Sequence, residues 1–312
     1  MPPIVAVAFS GGRDSLALLH ATCRSAQQLG LQVVALHVHH GLLPEADGWL
    51  ANAQRLCDRW RRRGLPLQLR WERLSGQPAP GESLEAWARS GRYAALARLA
   101  DEAGASLVLL AHHRRDQAET FVLQALRSGA PAGLSAMPRQ ITRAGLVWAR
   151  PWLDQPRCAI EAYVHRHRLQ PVDDPSNADL RLARNRLRLQ VWPALEAAFG
   201  HAETSLAAAA ARAQEARAAL GELAALDLSS LVDEQGRLAV AGWRSLSPAR
   251  QANALRAWWA AQTGHSAPQA LITRLLAEVR LNGVARWPAG GGWGCAMAGG
   301  RLRVVGPAAL AG

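Results

Sequence analysis

The 312-residue chain contains no lysine, so all 36 residues counted as Lys or Arg are arginine. This absence excludes a Walker A phosphate loop, a Schiff-base nucleophile and a lysine general base, because each of these requires a lysine side chain. The arginines give the chain a formal net charge of +12, which favours a polyanionic partner. Arginine suits such a partner because its planar guanidinium binds phosphate through two parallel hydrogen bonds.

Cysteine and long apolar runs are also scarce. The four cysteines, Cys23, Cys57, Cys158 and Cys295, are scattered and form no CxxC pair. We therefore expect neither a disulfide framework nor a cysteine zinc site, and we expect a reducing, cytoplasmic compartment. No apolar run reaches the roughly 18 residues of a membrane span, and the N-terminus lacks the basic region of a signal peptide.

Short apolar runs alternate with helical periodicity in the first half of the chain. The runs are typical of buried parallel strands, and this alternation predicts a doubly wound, Rossmann-like α/β domain with a parallel sheet. The predicted strands cover residues 4–9, 31–38, 106–111 and 146–149, and the predicted helices cover 15–29, 45–63 and 82–103, with a Gly/Pro/Ser-rich loop at 72–84.

The composition changes after about residue 154. Two basic helical segments are followed by an alanine-rich stretch over 201–226, which favours helix by propensity. Two further helices are predicted near 248–262 and 268–281, before a Gly/Trp-rich end that suggests strands and turns. We predict a catalytic domain over 1–198, a helical connector over 199–228 and a small α+β C-terminal domain over 229–312.

The segment SGGRDS, residues 10–15, separates a predicted strand from a predicted helix. Gly11 and Gly12 allow backbone N–H groups to converge on an anion, and the following helix N-terminus adds a positive dipole end. Ser10 and Ser15 add hydroxyl donors, Arg13 adds a cation, and Asp14 suits Mg²⁺ held beside phosphates. The alternative interpretation is a tight turn in which Ser15 caps the helix.

Five further stretches carry a family resemblance. With SGGRDS, which resembles the PP-loop of the ATP pyrophosphatases, they resemble the tRNA(Ile)-lysidine synthetases closely over 4–195 and loosely over 243–305. The stretches are LHVHHGLLPEADGWL (36–50), EAWARSGRYAAL (85–96), LLAHHRRDQAETFVLQALRSGAPAGLSAM (109–137), RPWLD (150–154) and DDPSNADLRLARNRLR (173–188).

The resemblance implies an ATP-dependent ligase. Such an enzyme adenylates C2 of the wobble cytidine in the CAU anticodon of tRNA(Ile), attaches free L-lysine there, and releases AMP and pyrophosphate. It implies ATP and Mg²⁺ as cofactors, tRNA(Ile) and L-lysine as substrates, and a tRNA-binding role for the C-terminal domain. Many relatives carry two C-terminal domains, of which we expect only the first here. The sequence leaves the oligomeric state open, and a homodimer is compatible with it.

Asp116 and Glu119 lie three residues apart on a predicted helix and therefore share a face. On composition alone, a lysine-binding pair and acids that answer the helix dipole are equally good interpretations; the resemblance favours lysine binding. Arg115 stands where relatives often have an acidic or small residue, and the sequence leaves open its effect on the geometry of the carboxylates. Arg184 is the arginine of its cluster expected to touch substrate or phosphate, whereas Arg186 is expected on a solvated face.

The histidines permit two interpretations. Adjacent histidines on a strand point to opposite faces, so His112 and His113 make a poor chelating pair. We expect them near the nucleotide rather than on zinc. The paired tryptophans, Trp258 and Trp259, could stack on RNA bases, but a buried core position is the commoner one. Two other functions stay open: another PP-loop tRNA-modifying enzyme, such as a thiolase, and a non-catalytic RNA-binding protein with a relic nucleotide site.

Overall fold

The computed structural model describes residues 2–41, 45–78, 84–127 and 131–306, with only the backbone at positions 85, 131 and 132. Parts of three predicted stretches, residues 42–44, 79–83 and 128–130, lie outside the described residues. The chain divides into two compact units, Met1–Gln214 and Glu215–Gly312. The predicted boundaries at 198 and 228 stay predictions.

The first unit is built on a six-stranded sheet in the order β3-β2-β1-β4-β6-β5. All neighbouring strands are parallel except β5, which pairs antiparallel with β6. The predicted α/β fold is therefore confirmed. The strands are β1 (Ile4–Ala8), β2 (Gln32–His39), β3 (Leu67–Arg73), β4 (Leu107–Leu109), β5 (Gln140–Arg143) and β6 (Leu146–Ala149).

Helices cover both faces of this sheet. Successive side chains of a strand point to opposite faces, and in β1 Ala6 and Val7 accordingly enter two different apolar clusters. Burial on both faces explains why these strands appear in the sequence as continuous apolar runs. The first helices are α1 (Arg13–Leu29), α2 (Ala46–Arg62), α3 (Leu84–Glu102), α4 (Arg114–Leu126) and α5 (Pro131–Leu134).

The sequence analysis missed both edge strands. β3 carries polar and charged residues along much of its length, and every residue of β5 is exposed, so neither strand appears as an apolar run. It also placed the start of α1 two residues late. Gly12 is the residue before the first turn, so Ser15 lies inside the helix and does not cap it.

Helical segments complete the first unit. Between α7 and α8 the chain forms one π-helical segment over Leu187–Val191, and a short 3-10 turn over Pro175–Ala178 precedes α7. A 27-residue helix, α9, occupies the alanine-rich stretch, and the division between the two units falls within it. The helices are α6 (Arg157–Arg166), α7 (Ala183–Arg186), α8 (Trp192–Ala198) and α9 (Ala202–Leu228).

The second unit packs helices against a four-stranded sheet in the order β7-β10-β9-β8. Its core contains Trp258, Trp259 and Trp287, so these tryptophans are core residues rather than an exposed stacking surface. The elements are β7 (Leu238–Ala239), α10 (Val240–Arg244), α11 (Pro248–Thr263), α12 (Gln269–Glu278), β8 (Ala285–Gly290), β9 (Trp293–Ala298) and β10 (Arg301–Val305). Among the described helices, none combines the length and apolar character that crossing a bilayer requires.

The turn between β5 and β6 gives a test of the fold. Ala144 and Gly145 both have positive φ, 51° and 77°, and Ala144 is exposed. The left-handed conformation costs an L-residue about 1–2 kcal/mol, whereas glycine adopts it without a Cβ clash. After allowing for the greater freedom of glycine in the unfolded chain, we expect Ala144→Gly to raise the free energy of unfolding by about 0.5–1 kcal/mol.

Urea titration measures this change. The control is Ala51→Gly at an exposed position within α2. There glycine should lower the free energy of unfolding by about 1 kcal/mol. Destabilisation by both substitutions would contradict the described turn.

Candidate active site

The SGGRDS loop joins the end of β1 to the start of α1. Gly11 has a φ of 88°, a conformation that residues with a Cβ rarely adopt, and its carbonyl accepts the Val172 N–H at 3.0 Å. Gly12 precedes the first helical turn and provides no side-chain cap. The first N–H groups of a helix have no acceptor within that helix, so the loop presents free donors at the positive end of α1.

Two serine hydroxyls hold the loop in shape. The Ser15 hydroxyl donates to the Gly12 carbonyl at 3.0 Å and accepts the Ser10 N–H at 3.2 Å. The two hydroxyl oxygens, Ser10 Oγ and Ser15 Oγ, lie 3.0 Å apart. These hydrogen bonds fix the loop at the N-terminus of α1, the position at which helices bind anions.

Asp14 extends from this loop toward helix α4. Its carboxylate accepts a hydrogen bond from Arg13 Nε at 2.9 Å, and its other oxygen lies 3.7 Å from His113 Nε2. Burial acts to raise the pKa of Asp14, but His113 and Arg13 outweigh it and lower the pKa to about 2. Asp14 is therefore a carboxylate at neutral pH.

The His113 imidazole lies between the loop and the acidic helix. Its Nε2 is 3.5 Å from Asp116 and 3.7 Å from Asp14, and the residue is 2% exposed. The His113 N–H donates to the Asp116 carboxylate at 3.0 Å, which fixes the start of α4. The buried His113 ring thus lies between the SGGRDS loop, which is predicted to bind phosphate, and the predicted lysine-binding pair.

Glu119 is fully buried, with 0% exposure, and Arg188 pairs with it through two hydrogen bonds. Arg188 Nε donates to one oxygen at 2.9 Å and Nη2 to the other at 2.7 Å, while Nη2 also reaches Asp116 at 3.3 Å. Burial opposes the charge on Arg188, but the hydrogen bonds to Glu119 raise its pKa. The sequence analysis missed this residue.

Arg184 joins the same cluster. It donates to the Thr120 hydroxyl at 2.6 Å, and its Nε lies 3.8 Å from Glu119. The four-residue spacing of Arg184 and Arg188 was a usable signal, because residues four apart share a helix face just as Asp116 and Glu119 do. Burial acts to raise the pKa of Asp116, but the pKa is lowered because the neighbouring histidines and Arg184 outweigh it.

A second cationic group surrounds His112. Burial lowers the pKa of His112 to about 3, and Arg150 and Arg184 lower it further against the opposing effect of Asp116. Burial also lowers the pKa of Arg92 and of Arg150. Within the described residues, His112 Nδ1 and Arg150 Nε are buried without a hydrogen-bond partner. The sequence analysis did not identify Arg92 or Arg150, which lie in stretches that it used only for the resemblance.

His37 and His39 have structural partners, whereas His40 Nδ1 is buried without a hydrogen-bond partner among the described residues. His37 Nδ1 is 2.9 Å from the Phe9 carbonyl, and His39 accepts the Gly41 N–H while its Nε2 contacts Asp47 at 3.1 Å. Within the described ranges, no three His, Cys, Asp or Glu side chains are grouped so that they could hold a metal ion. His37 and His39 thus make contacts at the end of β2, and His113 makes contacts at the start of α4.

Arg115, whose effect on the carboxylates the sequence left open, forms its contacts away from the acidic pair. It pairs with Glu203 and Glu196, and its guanidinium lies 4.4 Å from the ring centroid of Trp192. Neighbouring Arg114 also pairs with Glu203, at 2.9 Å. These contacts fix the first turn of α4 to α8 and α9.

The segment DDPSNADLR, residues 173–181, is also held by structural contacts. Asn185 donates to the Ser176 and Asp179 carbonyls, and Arg186 donates to the Leu180 and Arg181 carbonyls. The expectation that Arg186 is only a solvated cation is therefore incomplete. Its guanidinium is exposed, but it fixes the loop before α7.

Comparison with known proteins identifies both units. A PP-loop domain family matches residues 2–195, and the TilS substrate binding domain matches residues 238–303. In structure, the chain is similar to the U34-tRNA thiolase NcsA from Methanococcus maripaludis, determined with its 4Fe-4S cluster. That match has a TM-score of 0.57 and 16% identity and covers 68% of this chain and 73% of that one, which supports the fold alone.

Curated relatives are more similar in sequence. The tRNA(Ile)-lysidine synthase of Ralstonia nicotianae is 48% identical over 263 residues, which are 83% of this chain and 54% of that protein. The protein of the same name from Bordetella bronchiseptica is 39% identical over 285 residues, covering 89% of this chain and 81% of the relative. The chain spans about half the length of relatives such as the R. nicotianae protein. On these matches, the chain belongs to the tRNA(Ile)-lysidine synthase family and carries its PP-loop domain.

Proposed function

We propose that the chain is an ATP-dependent ligase that attaches L-lysine to C2 of the wobble cytidine in the CAU anticodon of tRNA(Ile). The C2 oxygen attacks the α-phosphorus of ATP and pyrophosphate leaves; an amine of lysine then attacks C2 and AMP leaves with that oxygen. The observation that carries this proposal is the position of His113, 3.7 Å from Asp14 in the loop and 3.5 Å from Asp116 in the acidic pair. Activation and amine binding can therefore occur side by side.

The loop suits the triphosphate of ATP. Gly12 precedes α1 without a side-chain cap hydrogen bond, so the N–H groups of the first turn of α1 are available to phosphate oxygens. Asp14 is the residue that would hold Mg²⁺, because Mg²⁺ at nucleotides takes one or two carboxylates together with phosphate oxygens. The metal would offset negative charge on the phosphates. The chain's own contribution is a set of donors fixed before the substrate arrives.

The acidic pair suits an ammonium group of lysine. Asp116 and Glu119 lie next to Thr120 and Arg184 on facing helical segments, and Arg184 can contact a phosphate or the lysine carboxylate. His113 lies between this pair and the loop, and Asp116 acts on the charge of neighbouring His112. The low pKa of His112 keeps it neutral, which allows it to contact the nucleotide through a hydrogen bond.

The second unit is the proposed tRNA-binding domain. Its sequence matches the TilS substrate binding domain, and exposed arginines, among them Arg256, Arg274 and Arg303, lie on its surface. Because Trp258, Trp259 and Trp287 are in the core of this unit, we propose that arginine contacts to phosphate supply most of the affinity.

A PP-loop tRNA thiolase is the second candidate, since the structural neighbour carries that name. Iron–sulfur clusters require several cysteine thiolates. In this chain Cys23, Cys57 and Cys295 are buried, and burial raises the pKa of each thiol to about 12; only Cys158 is exposed. Cys23, Cys57 and Cys295 are buried core residues and not cluster ligands, which favours the ligase over the thiolase.

Mass analysis of tRNA nucleosides tests the proposed function directly. The chain is incubated with a tRNA(Ile) transcript, ATP and L-lysine, and the digested RNA is compared with reactions that lack each component. We expect one cytidine to gain the mass of lysine less water, only in the complete reaction. A sulfur-containing product, or no product from an active ATP-hydrolysing chain, would contradict the proposal.

Asp14→Ala tests the nucleotide loop. We expect pyrophosphate release in the presence of tRNA to fall at least a hundredfold, because a charged group that stabilises the transition state contributes about 2.7–4 kcal/mol. Affinity for tRNA should change little. The matched control is Asp58→Ala, which removes an exposed carboxylate on α2. Wild-type pyrophosphate release by Asp14→Ala would exclude a catalytic role for this carboxylate.

Glu119→Gln tests the amine site. The substitution keeps the shape of the side chain but removes its charge, and hydrogen bonds to charged groups contribute about 1.5–3 kcal/mol. We therefore expect half-saturation by lysine to rise by about tenfold to a hundredfold, with a far smaller change for ATP. Lysine titration at saturating ATP and tRNA measures the first change, and ATP titration at saturating lysine and tRNA measures the second.

The control for this change is Glu102→Gln at an exposed position on α3. If Glu119→Gln and Asp116→Asn both leave the half-saturation by lysine unchanged, in the wild-type chain and in a chain that also carries Arg188→Gln, the carboxylates do not bind lysine. They would then serve only to anchor Arg188 and Arg184.

A further inference from the structure

Arg188 takes both oxygens of the carboxylate that is proposed to receive an ammonium group of lysine. Its Nε and Nη2 lie 2.9 and 2.7 Å from the two Glu119 oxygens, and Nη2 is 3.3 Å from Asp116. Within the described part of the chain, all of its hydrogen bonds go to this pair. The guanidinium is therefore bound where a cationic substrate would bind.

The charges of the site already balance. Asp116 and Glu119 contribute two negative charges, and Arg184 and Arg188 contribute two positive charges. An arriving ammonium would add a third cation to a largely buried cluster in which Glu119 has 0% exposure. Bringing an unbalanced charge out of water is costly, so lysine binding favours the departure of one resident cation.

Arg188 is the cation that can leave. Its side chain is 29% exposed and that of Arg184 is 34% exposed, so solvent reaches both, and the backbone that carries Arg188 is fixed by two buried neighbours, Leu187 and Trp192. The residue lies on the π-helical segment, a local irregularity that is frequent at functional sites. The long side chain can rotate toward solvent and regain hydration without movement of the helix. Arg184 does not occupy the carboxylate oxygens in this way, because it donates to Thr120 and its Nε lies 3.8 Å from Glu119, so Arg188 is the cation that an ammonium group would displace.

We propose that Arg188 is an internal competitor of the amine substrate: its guanidinium occupies the Asp116–Glu119 pair in the free chain and leaves when lysine binds. This inference rests on the proposed function, because it takes the same carboxylates as the amine site. The device keeps buried Glu119 paired in the absence of lysine. The arrangement also selects against neutral molecules, since only a cation can replace the positive charge that is lost from the carboxylates when Arg188 leaves.

Competition predicts that removal of the guanidinium strengthens lysine binding. If the paired form outnumbers the open form by about ten to one, the apparent dissociation constant of wild type is about tenfold above that of the open site. We expect Arg188→Gln to bind L-lysine about tenfold more tightly by calorimetry, and Arg188→Lys to fall between the two. The control is Arg181→Gln, which removes the same charge from a side chain that is 91% exposed.

A spectroscopic readout follows Arg188 itself. In a nitrogen-15-labelled chain, the Arg188 Nε–H signal is identified by its loss in Arg188→Gln. We expect this signal to be protected from exchange in the free chain and to lose its protection when L-lysine saturates the site. This measurement uses wild-type protein, so it does not depend on the folding of a variant.

The two results together decide the proposal. Unchanged or weaker lysine binding by Arg188→Gln, with a protected Nε–H signal in the lysine complex, would overturn it and make Arg188 a fixed partner of Glu119. If wild type still forms the lysine-modified nucleoside in that case, the proposed function stands. If wild type forms no such product and neither chain binds lysine, both are overturned.

Discussion

A carboxylate shut off from solvent, that of Glu119, determines how the candidate active site is built. A buried charge is tolerated only when it is paired and hydrogen-bonded. Glu119 lies on α4, and its partners come from the segment that contains α7 and the π-helix, more than sixty residues later in the chain. That segment must therefore dock on α4, and the buried side chains of Leu187 and Trp192 provide the apolar contact. The electrostatics of one residue thus explain the placement of a whole segment.

Contacts between charged and polar side chains also connect the acidic pair to the nucleotide loop. Asp116, one turn before Glu119, is linked through the His113 ring to Asp14, and Asp14 belongs to the loop at the end of β1. Parallel strands β1 and β4 are neighbours, so their C-terminal ends bring the loop and the start of α4 together. This is the edge at which open α/β sheets bind ligands. The site is accordingly a product of strand order as well as of individual side chains.

Much of this arrangement could be predicted from the sequence. The buried strands and their helices were predictable because burial on both faces produces continuous apolar runs, and SGGRDS was recognisable because few other functions need two glycines, two hydroxyls and a carboxylate together. The edge strands β3 and β5 were not, since their exposed faces carry polar residues. The partner of Arg115 could not be predicted either. Sequence proximity suggested Asp116, but helix geometry turns Arg115 toward Glu203 and Trp192.

Arg188 shows a different limit. Its spacing from Arg184 placed both on one face, yet nothing in the sequence indicated that this face meets α4. The pairing is a long-range contact, and it changes the interpretation of Asp116 and Glu119 from open carboxylates to carboxylates that already have a partner. The site predicted from sequence includes Asp116 and Glu119 but leaves out Arg188, the residue that pairs with them.

The central claim is that the base is activated by adenylation at its C2 oxygen and that an amine then displaces AMP. Transfer of an isotope tests this claim most directly. A tRNA(Ile) whose wobble cytidine carries oxygen-18 at C2 is reacted with ATP and L-lysine, and the AMP released is analysed by mass spectrometry. The account predicts that each AMP formed with product carries the label. Retention of the label in the RNA, or its appearance in water with unlabelled AMP, would contradict it.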